Sequence, residues 1–266
     1  MRTVAYVMLV CLLGCAIVAQ AATGEGSAPD ALSIMQRSYA ATQPHTEKAL
    51  YQATLLAADA TVEQVRTFEV YYQRKGGTER TLQKFLTPPV LAGTGLLIVD
   101  SGQPETDTWL YLPTTRRIRR IAGQDKSGRY MGTEYAYEDL EGYRIAQHRF
   151  SYVEERRDEQ GNDCYLIDSF AKTPSELAST GYAKKRYWID RRTLYPVHTE
   201  YFAKDGTLEK RRDAEQLYQV GDYWRAHHEV MKNLRSGRAT ELELKNDKTD
   251  FEMKDFYVSK RYLRSE

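Results

Sequence analysis

Cysteine is almost missing from this chain, with three among 266 residues, at Cys11, Cys15 and Cys164. The first two fall in an apolar N-terminal segment with the marks of a cleaved leader. Cys164 is then left without a partner for an internal disulfide, and stability in an oxidising compartment has to come from the core. Charge of one sign is missing too. There are 38 basic and 37 acidic side chains, and loss of Arg2 with the leader makes the mature chain formally neutral. No whole-molecule field steers it toward nucleic acid. Several common catalytic signatures are absent: no G-x-S-x-G elbow, no H-E-x-x-H, no Walker loop and no G-x-G-x-x-G. The histidines, His45, His148, His198, His227 and His228, stand in no metal-type spacing, and the adjacent pair points to opposite faces of a strand. Carboxylates such as Glu154-Glu155, flanked by Arg156-Arg157, read as a solvated hairpin end. Nothing in the residues asks for catalysis, a metal or a cofactor, and the chain reads as a non-enzyme.

Residues 1–21 have the layout of a secretory signal: Arg2, an apolar run from Val4 to Val18 that is short for a membrane span, and Ala19-Gln20-Ala21 before Ala22. A competing reading takes Leu12-Leu13-Gly14-Cys15 as a lipoprotein-type site with Cys15 acylated and anchored. Leu13 is bulky for that site, and apolar sequence continues past Cys15, so cleavage after Ala21 and export are expected. Residues 22–266 contain no linker, fixed-period repeat or low-complexity tract, and read as one domain.

Pro29 and Asp30 precede Leu32, Met35 and Tyr39, the spacing of an amphipathic helix capped by Asp30. After His45 the texture becomes alternating strands broken by Gly76-Gly77, Gln160-Gly161-Asn162, Lys204-Asp205-Gly206, Val220-Gly221-Asp222 and Ser236-Gly237. Such short spacing predicts antiparallel neighbours. From Tyr182 to Asp190, alternation puts Lys185, Tyr187 and Ile189 on one face and Lys184, Arg186 and Trp188 on the other. Leu96-Leu97-Ile98-Val99 and Trp109-Leu110-Tyr111-Leu112 are apolar on both faces, so each must be covered twice. The N-terminal helix is one candidate cover; the other is a second helix, a facing sheet or bound hydrocarbon. Tyrosine is frequent, 20 against 7 phenylalanines, and suits both exposed sheet faces and an amphipathic lining.

The run Arg116-Arg117-Ile118-Arg119-Arg120 sends arginine to both faces of a strand. Guanidinium groups on a concave face need anions, and Glu134, Glu138, Asp139, Glu141 or a lipid head group are the candidates. Pro88-Pro89, with Gly93 and Gly95 following, marks either a stiff loop at a cavity rim or an edge that blocks strand association.

Several segments together resemble the LolA-like outer-membrane lipoprotein-sorting family: FLTPP (85–89), GTGLL (93–97), WLYLPTTRRIRRI (109–121), MGTEYAYEDL (131–140), YWIDRRTLYPVHTEYFAKDG (187–206) and FYVSKRYL (256–263). The resemblance implies a mainly β fold, a curved antiparallel sheet forming an unclosed β-barrel with a few helices packed in its mouth. It implies a periplasmic carrier that shields a lipid or acylated lipoprotein between inner and outer membranes. The implied partners are an inner-membrane exporter of the resistance-nodulation-division (RND) type and an outer-membrane acceptor. The alternative is an interaction subunit of an RND-type envelope complex that holds no ligand; a carrier needs an internal cavity, whereas a docking subunit should be packed solid. On this reading the cavity is lined by Leu97, Val99, Trp109, Tyr111, Tyr187, Ile189 and Tyr201, with Arg117 and Arg119 at a polar rim. A one-residue slip or a bulge would invert these faces.

Overall fold

The computed structural model describes residues 29–265, so the expected leader, with Cys11 and Cys15, lies outside the described residues. Helix α1 (Ala31–Thr42) is followed by β1 (Thr46–Leu56), β2 (Val62–Lys75), β3 (Thr78–Thr87), β4 (Gly95–Asp100), β5 (Asp107–Leu112) and β6 (Arg117–Ile121). A crossing segment, residues 122–147, contains four short 3-10 turns. It leads to β7 (His148–Arg157), β8 (Asp163–Ala171), helix α2 (Pro174–Ser179), β9 (Tyr182–Asp190), β10 (Pro196–Ala203), β11 (Leu208–Val220), β12 (Tyr223–Asn233) and β13 (Ala239–Thr249). A last 3-10 turn (Asp255–Val258) and α3 (Lys260–Leu263) close the described chain.

The strands form one antiparallel sheet in the order β6-β5-β4-β3-β2-β1-β13-β12-β11-β10-β9-β8-β7. The chain therefore enters at the middle, meanders out to the β6 edge, crosses once to the β7 edge, and meanders back until β13 pairs with β1. The sheet is mainly β, curved and unclosed, with few helices, as expected. Each of the five turn signals falls between paired strands. Between β2 and β3, Gly76 and Gly77 have φ of +58° and +75°, the two positive values that a twist-matched two-residue hairpin demands and that glycine adopts without a Cβ clash.

Asp30 caps α1, its carboxylate accepting from the backbone N–H of Leu32 and Ser33 at 3.2 Å each. The buried face is Ala31, Ile34, Met35, Ser38 and Thr42, which turns the expected core residue Leu32 to solvent. Ile34 and Met35 pack on Ile167 of β8 and Ile189 of β9, each such side chain contributing about 1.5–3 kcal/mol of burial. The helix thus lies on the β7–β12 half of the sheet and does not cover β4 or β5.

Those two doubly apolar strands have other covers. Leu96, Ile98 and Leu110 face the inside with Phe68, Phe85 and Tyr130. Leu97 and Tyr111 face outward with Leu82, under a C-terminal strap that contributes Met253, Val258 and Leu263. Val99, Trp109 and Ile118 pack against the same outer cluster, and Lys260 sits 3.3 Å over the Trp109 ring. The FYVSKRYL motif is the body of this strap.

Candidate functional site

A cavity of about 310 Å³ lies between the inner face of the sheet, the C-terminal end of α1 and the crossing segment. Its apolar wall is Tyr51, Ala53, Phe68, Val70, Phe85 and Leu242, and the crossing segment adds Tyr130, Tyr135, Leu140 and Tyr143 opposite. The wall follows from register. Tyr187 of β9 pairs with Thr199 of β10, Thr199 with Arg212 of β11, and Tyr51 of β1 with Phe68 of β2, which keeps all of these side chains on one face.

The rest of the lining is charged but matched. Arg212 donates to Glu229 at 2.7 Å and to the Pro196 carbonyl at 2.8 Å, and Tyr195 Oη donates to Glu229 at 2.9 Å. Lys185 pairs with Asp139 at 3.3 Å, which also accepts from Tyr182 Oη at 2.9 Å. Arg225 pairs with Glu47 and donates to the Thr42 carbonyl at 3.3 Å. Burial opposes the charge of Arg212, but Glu229 and the facing tyrosines hold its pKa well above the ordinary guanidinium value. Burial pushes the hydroxyl pKa values of Tyr51, Tyr135, Tyr195 and Tyr201 far up, so they remain neutral donors. Burial pulls Arg225 down. The hollow is therefore a tyrosine-rich chamber with ion pairs in its wall.

The part of the wall made by residues 130–135 is a self-bonded turn. Tyr130 N–H donates to the Tyr135 carbonyl at 2.8 Å, Thr133 Oγ1 donates to the Tyr130 carbonyl at 2.7 Å, and Arg129 Nε donates to the Thr133 carbonyl at 2.9 Å. The turn is fastened to the sheet by the buried Glu134, which pairs with Arg129 and, at 3.4 Å, Arg238. Glu134 also accepts from Asn233 Nδ2 at 3.2 Å, and its backbone N–H donates to the buried Thr240 Oγ1 at 2.9 Å. On the other side Arg66 Nη1 donates to the Met131 carbonyl at 2.7 Å. Beside the main cavity lies a polar one of about 120 Å³, which shares Gly142, Tyr143, Lys185 and Tyr187 with it.

Of the seven residues expected to line the interior, Tyr187 and Tyr201 border the cavity. Ile189 is on the same face but lies beneath α1. Leu97, Val99, Trp109 and Tyr111 face the opposite way, against the C-terminal strap. The inversion has a plain cause: strands apolar on both faces carry no polar side to tell inside from outside, whereas the charged alternate positions of β9 do. Arg117 and Arg119 are exposed on the edge strand and lie outside the cavity lining. The arginine run pairs locally, Arg119 with Asp125 at 2.7 Å and Arg120 with Asp107 at 2.9 Å. The expected partners are occupied elsewhere; besides the pairs of Glu134 and Asp139, Glu138 accepts from the Thr180 hydroxyl and the Gly181 N–H, and Glu141 pairs with Lys126 at 2.7 Å.

The DUF1329 family model, whose members are described as uncharacterised proteins, matches residues 77–265, most of the sheet and the whole crossing segment. The chain belongs to that family. No curated protein matches it. Among solved structures, a domain from Vibrio parahaemolyticus described as an outer-membrane lipoprotein-sorting protein is similar at 27% identity and a TM-score of 0.81, covering 88% of this chain and 98% of that one. A DUF1329 family protein from Desulfovibrio piger shares the fold at 21% identity and a TM-score of 0.81, over 88% and 97% of the two chains. A LolA superfamily protein from Nitrosomonas europaea shares it at 19% identity and a TM-score of 0.67, over 88% and 100%. This DUF1329 chain thus has the LolA-type fold. Among its described residues no helix is long and apolar enough to cross a membrane.

Proposed function

We propose that this protein is a periplasmic, non-enzymatic carrier that shelters a hydrophobic ligand, a lipid or an acylated lipoprotein, during transfer between inner and outer membranes. The observation that carries the reading is the cavity of about 310 Å³, walled on one side by a turn that closes on itself. An interaction subunit that holds nothing has no use for such a hollow. The volume is at the lower end of the roughly 300–1,000 Å³ of small-molecule sites, so the cargo inserts one compact apolar portion, and larger cargo requires the turn to swing out.

Affinity for hydrocarbon needs no special residue, since each buried CH₂ contributes about 0.8 kcal/mol. A bilayer offers the same chain nearly the same gain, so direction of transfer must be imposed by partners that bind one state of the carrier better than the other. The partners we propose are an inner-membrane exporter of the RND type and an outer-membrane acceptor. Four exposed apolar side chains support a docking end: Val62 and Val65 at the start of β2, Leu86 at the end of β3 and Val90 in the turn that follows. The Thr67–Thr87 pairing brings these two strand ends together.

The test is to purify the protein from the periplasm without detergent and extract it for lipid mass spectrometry. Stoichiometric recovery of a lipid or acylated species is expected. Repeated recovery of none would favour the interaction-subunit reading.

A further inference from the structure

Tyr130 and Tyr135 are buried, at 4% and 6% exposure. Both line the cavity. Neither hydroxyl has a hydrogen-bond partner among the described residues. Two other cavity tyrosines are occupied: Tyr195 gives its proton to Glu229, and Tyr143 Oη lies 3.4 Å from both Ser38 Oγ and Thr42 Oγ1. Buried polar atoms without partners are rare, and each calls for an explanation. Ring packing alone does not explain these two. Tyr130 stacks on Phe85 with centroids 5.9 Å apart and meets Tyr137 edge-on at 5.4 Å, contacts that a phenylalanine would keep without burying a hydroxyl. The same wall uses phenylalanine at Phe68 and Phe85.

Resting on the carrier reading, we propose that the cargo portion inside the cavity is an oxygenated hydrophobe, bearing a neutral carbonyl or ester oxygen that accepts hydrogen bonds from the hydroxyls of Tyr130 and Tyr135. A neutral acceptor fits better than an anionic one, because the cationic side chains on the wall are already matched: Arg212 by Glu229, Lys185 by Asp139 and Arg225 by Glu47. A carboxylate entering there would have to displace one of these partners. The two phenols also face different halves of the sheet. Tyr130 packs with Phe68, Phe85 and Leu96, and Tyr135 with Tyr182, Tyr201 and Met231. The acceptor oxygens are thus read from two sides of one apolar body. Both an acyl ester and a polycyclic ketone offer this chemistry, and the assay below separates them.

The test measures displacement of N-phenyl-1-naphthylamine from the mature protein by two matched pairs, methyl decanoate against n-undecane and a steroid ketone against its parent hydrocarbon. We expect at least one oxygenated member to displace the probe at roughly fivefold lower concentration than its hydrocarbon partner, the size of one ordinary hydrogen bond. In the Tyr130→Phe/Tyr135→Phe double variant that ratio falls to about one, and the thermal midpoint is no lower than in the parent. Preference for the ester alone, or for the ketone alone, supports the proposal and names the source. Equal displacement within both pairs, or a preference that survives in the double variant, overturns it and leaves the carrier reading standing. Failure of the probe and of every competitor to bind, checked by calorimetry, removes both.

Discussion

Glu134 is the place to test whether the turn at residues 130–135 gates the cavity. Its side chain is buried and joins the turn to the β12–β13 hairpin through Asn233 and Arg238, while pairing within the crossing segment with Arg129. Glu134→Ala removes these links and leaves the Tyr130–Tyr135 backbone bond and the Arg66–Met131 contact in place. A hydrogen bond to a charged group contributes about 1.5–3 kcal/mol. The pair with Arg129, whose side chain is 44% exposed, adds at most roughly 1 kcal/mol after screening; Arg238, open to solvent and still paired with Glu63, is left out. A net loss of about 2 kcal/mol corresponds to a fall in the thermal midpoint of about 4–8 °C for a chain of this size. The functional effect should exceed the thermal one. With the turn unfastened, release of bound N-phenyl-1-naphthylamine by stopped-flow fluorescence should be at least about tenfold faster, since local opening now costs less than global unfolding. Glu134→Gln, which keeps an acceptor for Asn233, should fall between the two. If Glu134→Ala lowers the midpoint as expected while the release rate stays at the parental value, the turn is a fixed wall and the gating idea is wrong.

Filling the hollow should separate binding from folding: Ala53→Trp, at a cavity-lining position on β1, is expected to abolish probe binding with a thermal midpoint within a few degrees of the parent. Gly95 is a tight contact, because a Cβ there would lie 2.7 Å from Leu263 Cδ1 and 3.3 Å from the Gln83 carbonyl. Gly95→Ala should therefore destabilise by about 1–3 kcal/mol through overpacking, and combination with Leu263→Ala should be less than additive in urea titrations. Acid sensitivity follows from Asp168. Burial raises its pKa, but Arg186 at 2.6 Å and Lys184 at 2.7 Å outweigh this and hold it below the ordinary carboxylate value. A depressed folded-state pKa contributes stability that is present above the unfolded value, about 3.9, and is lost as pH falls through the folded one. The urea midpoint of Asp168→Asn should accordingly fall less than that of the parent between pH 5 and pH 2.5, and parallel curves would exclude this role.

Much of the architecture was legible because local chemistry dictates it. Gly76-Gly77 and the four other turn signals mark hairpins, and strand alternation with such turns leaves little choice but an antiparallel meander. The capping of α1 by Asp30 was equally readable. The faces of β4 and β5 were not, because Leu96 to Val99 offer apolar residues to both sides and the choice depends on two covers that arrive from distant sequence. One cover is the crossing segment, whose glycine-punctuated stretch from Gly128 to Gly142 has no periodicity to read. The other is the C-terminal strap, where Tyr71 stacks on Tyr257 with centroids 5.0 Å apart and meets Tyr262 edge-on at 5.4 Å. The ion pairs of the cavity wall escaped for a similar reason. Arg212 and Glu229 lie on neighbouring strands, and only register shows that they meet; the sole hint in the sequence was charge at positions whose neighbours two away are core.

The strap also bears on why a hollow is tolerable when the described residues hold no disulfide. An unfilled interior forfeits dispersion contacts, and a thirteen-stranded sheet with its inner face incompletely packed has to recover that stability elsewhere. Here the recovery is on the outside: Leu82, Leu97, Tyr111, Val258 and Leu263 make a second core on the convex face, away from any ligand. α1 makes a third on the β8–β9 half with Ile167 and Ile189. The crossing segment lies on the inner face, where Tyr130 and Tyr135 pack on the sheet and polar contacts such as Glu134 to Asn233 and Glu138 to the Gly181 N–H at 2.7 Å hold it. The strap's core and the cavity thus lie on opposite faces of one sheet. Substitutions in the strap should move unfolding without changing ligand exchange, and substitutions in the turn should move exchange more than unfolding. A cavity built this way is specified by what packs outside it, which is why no short motif marks it.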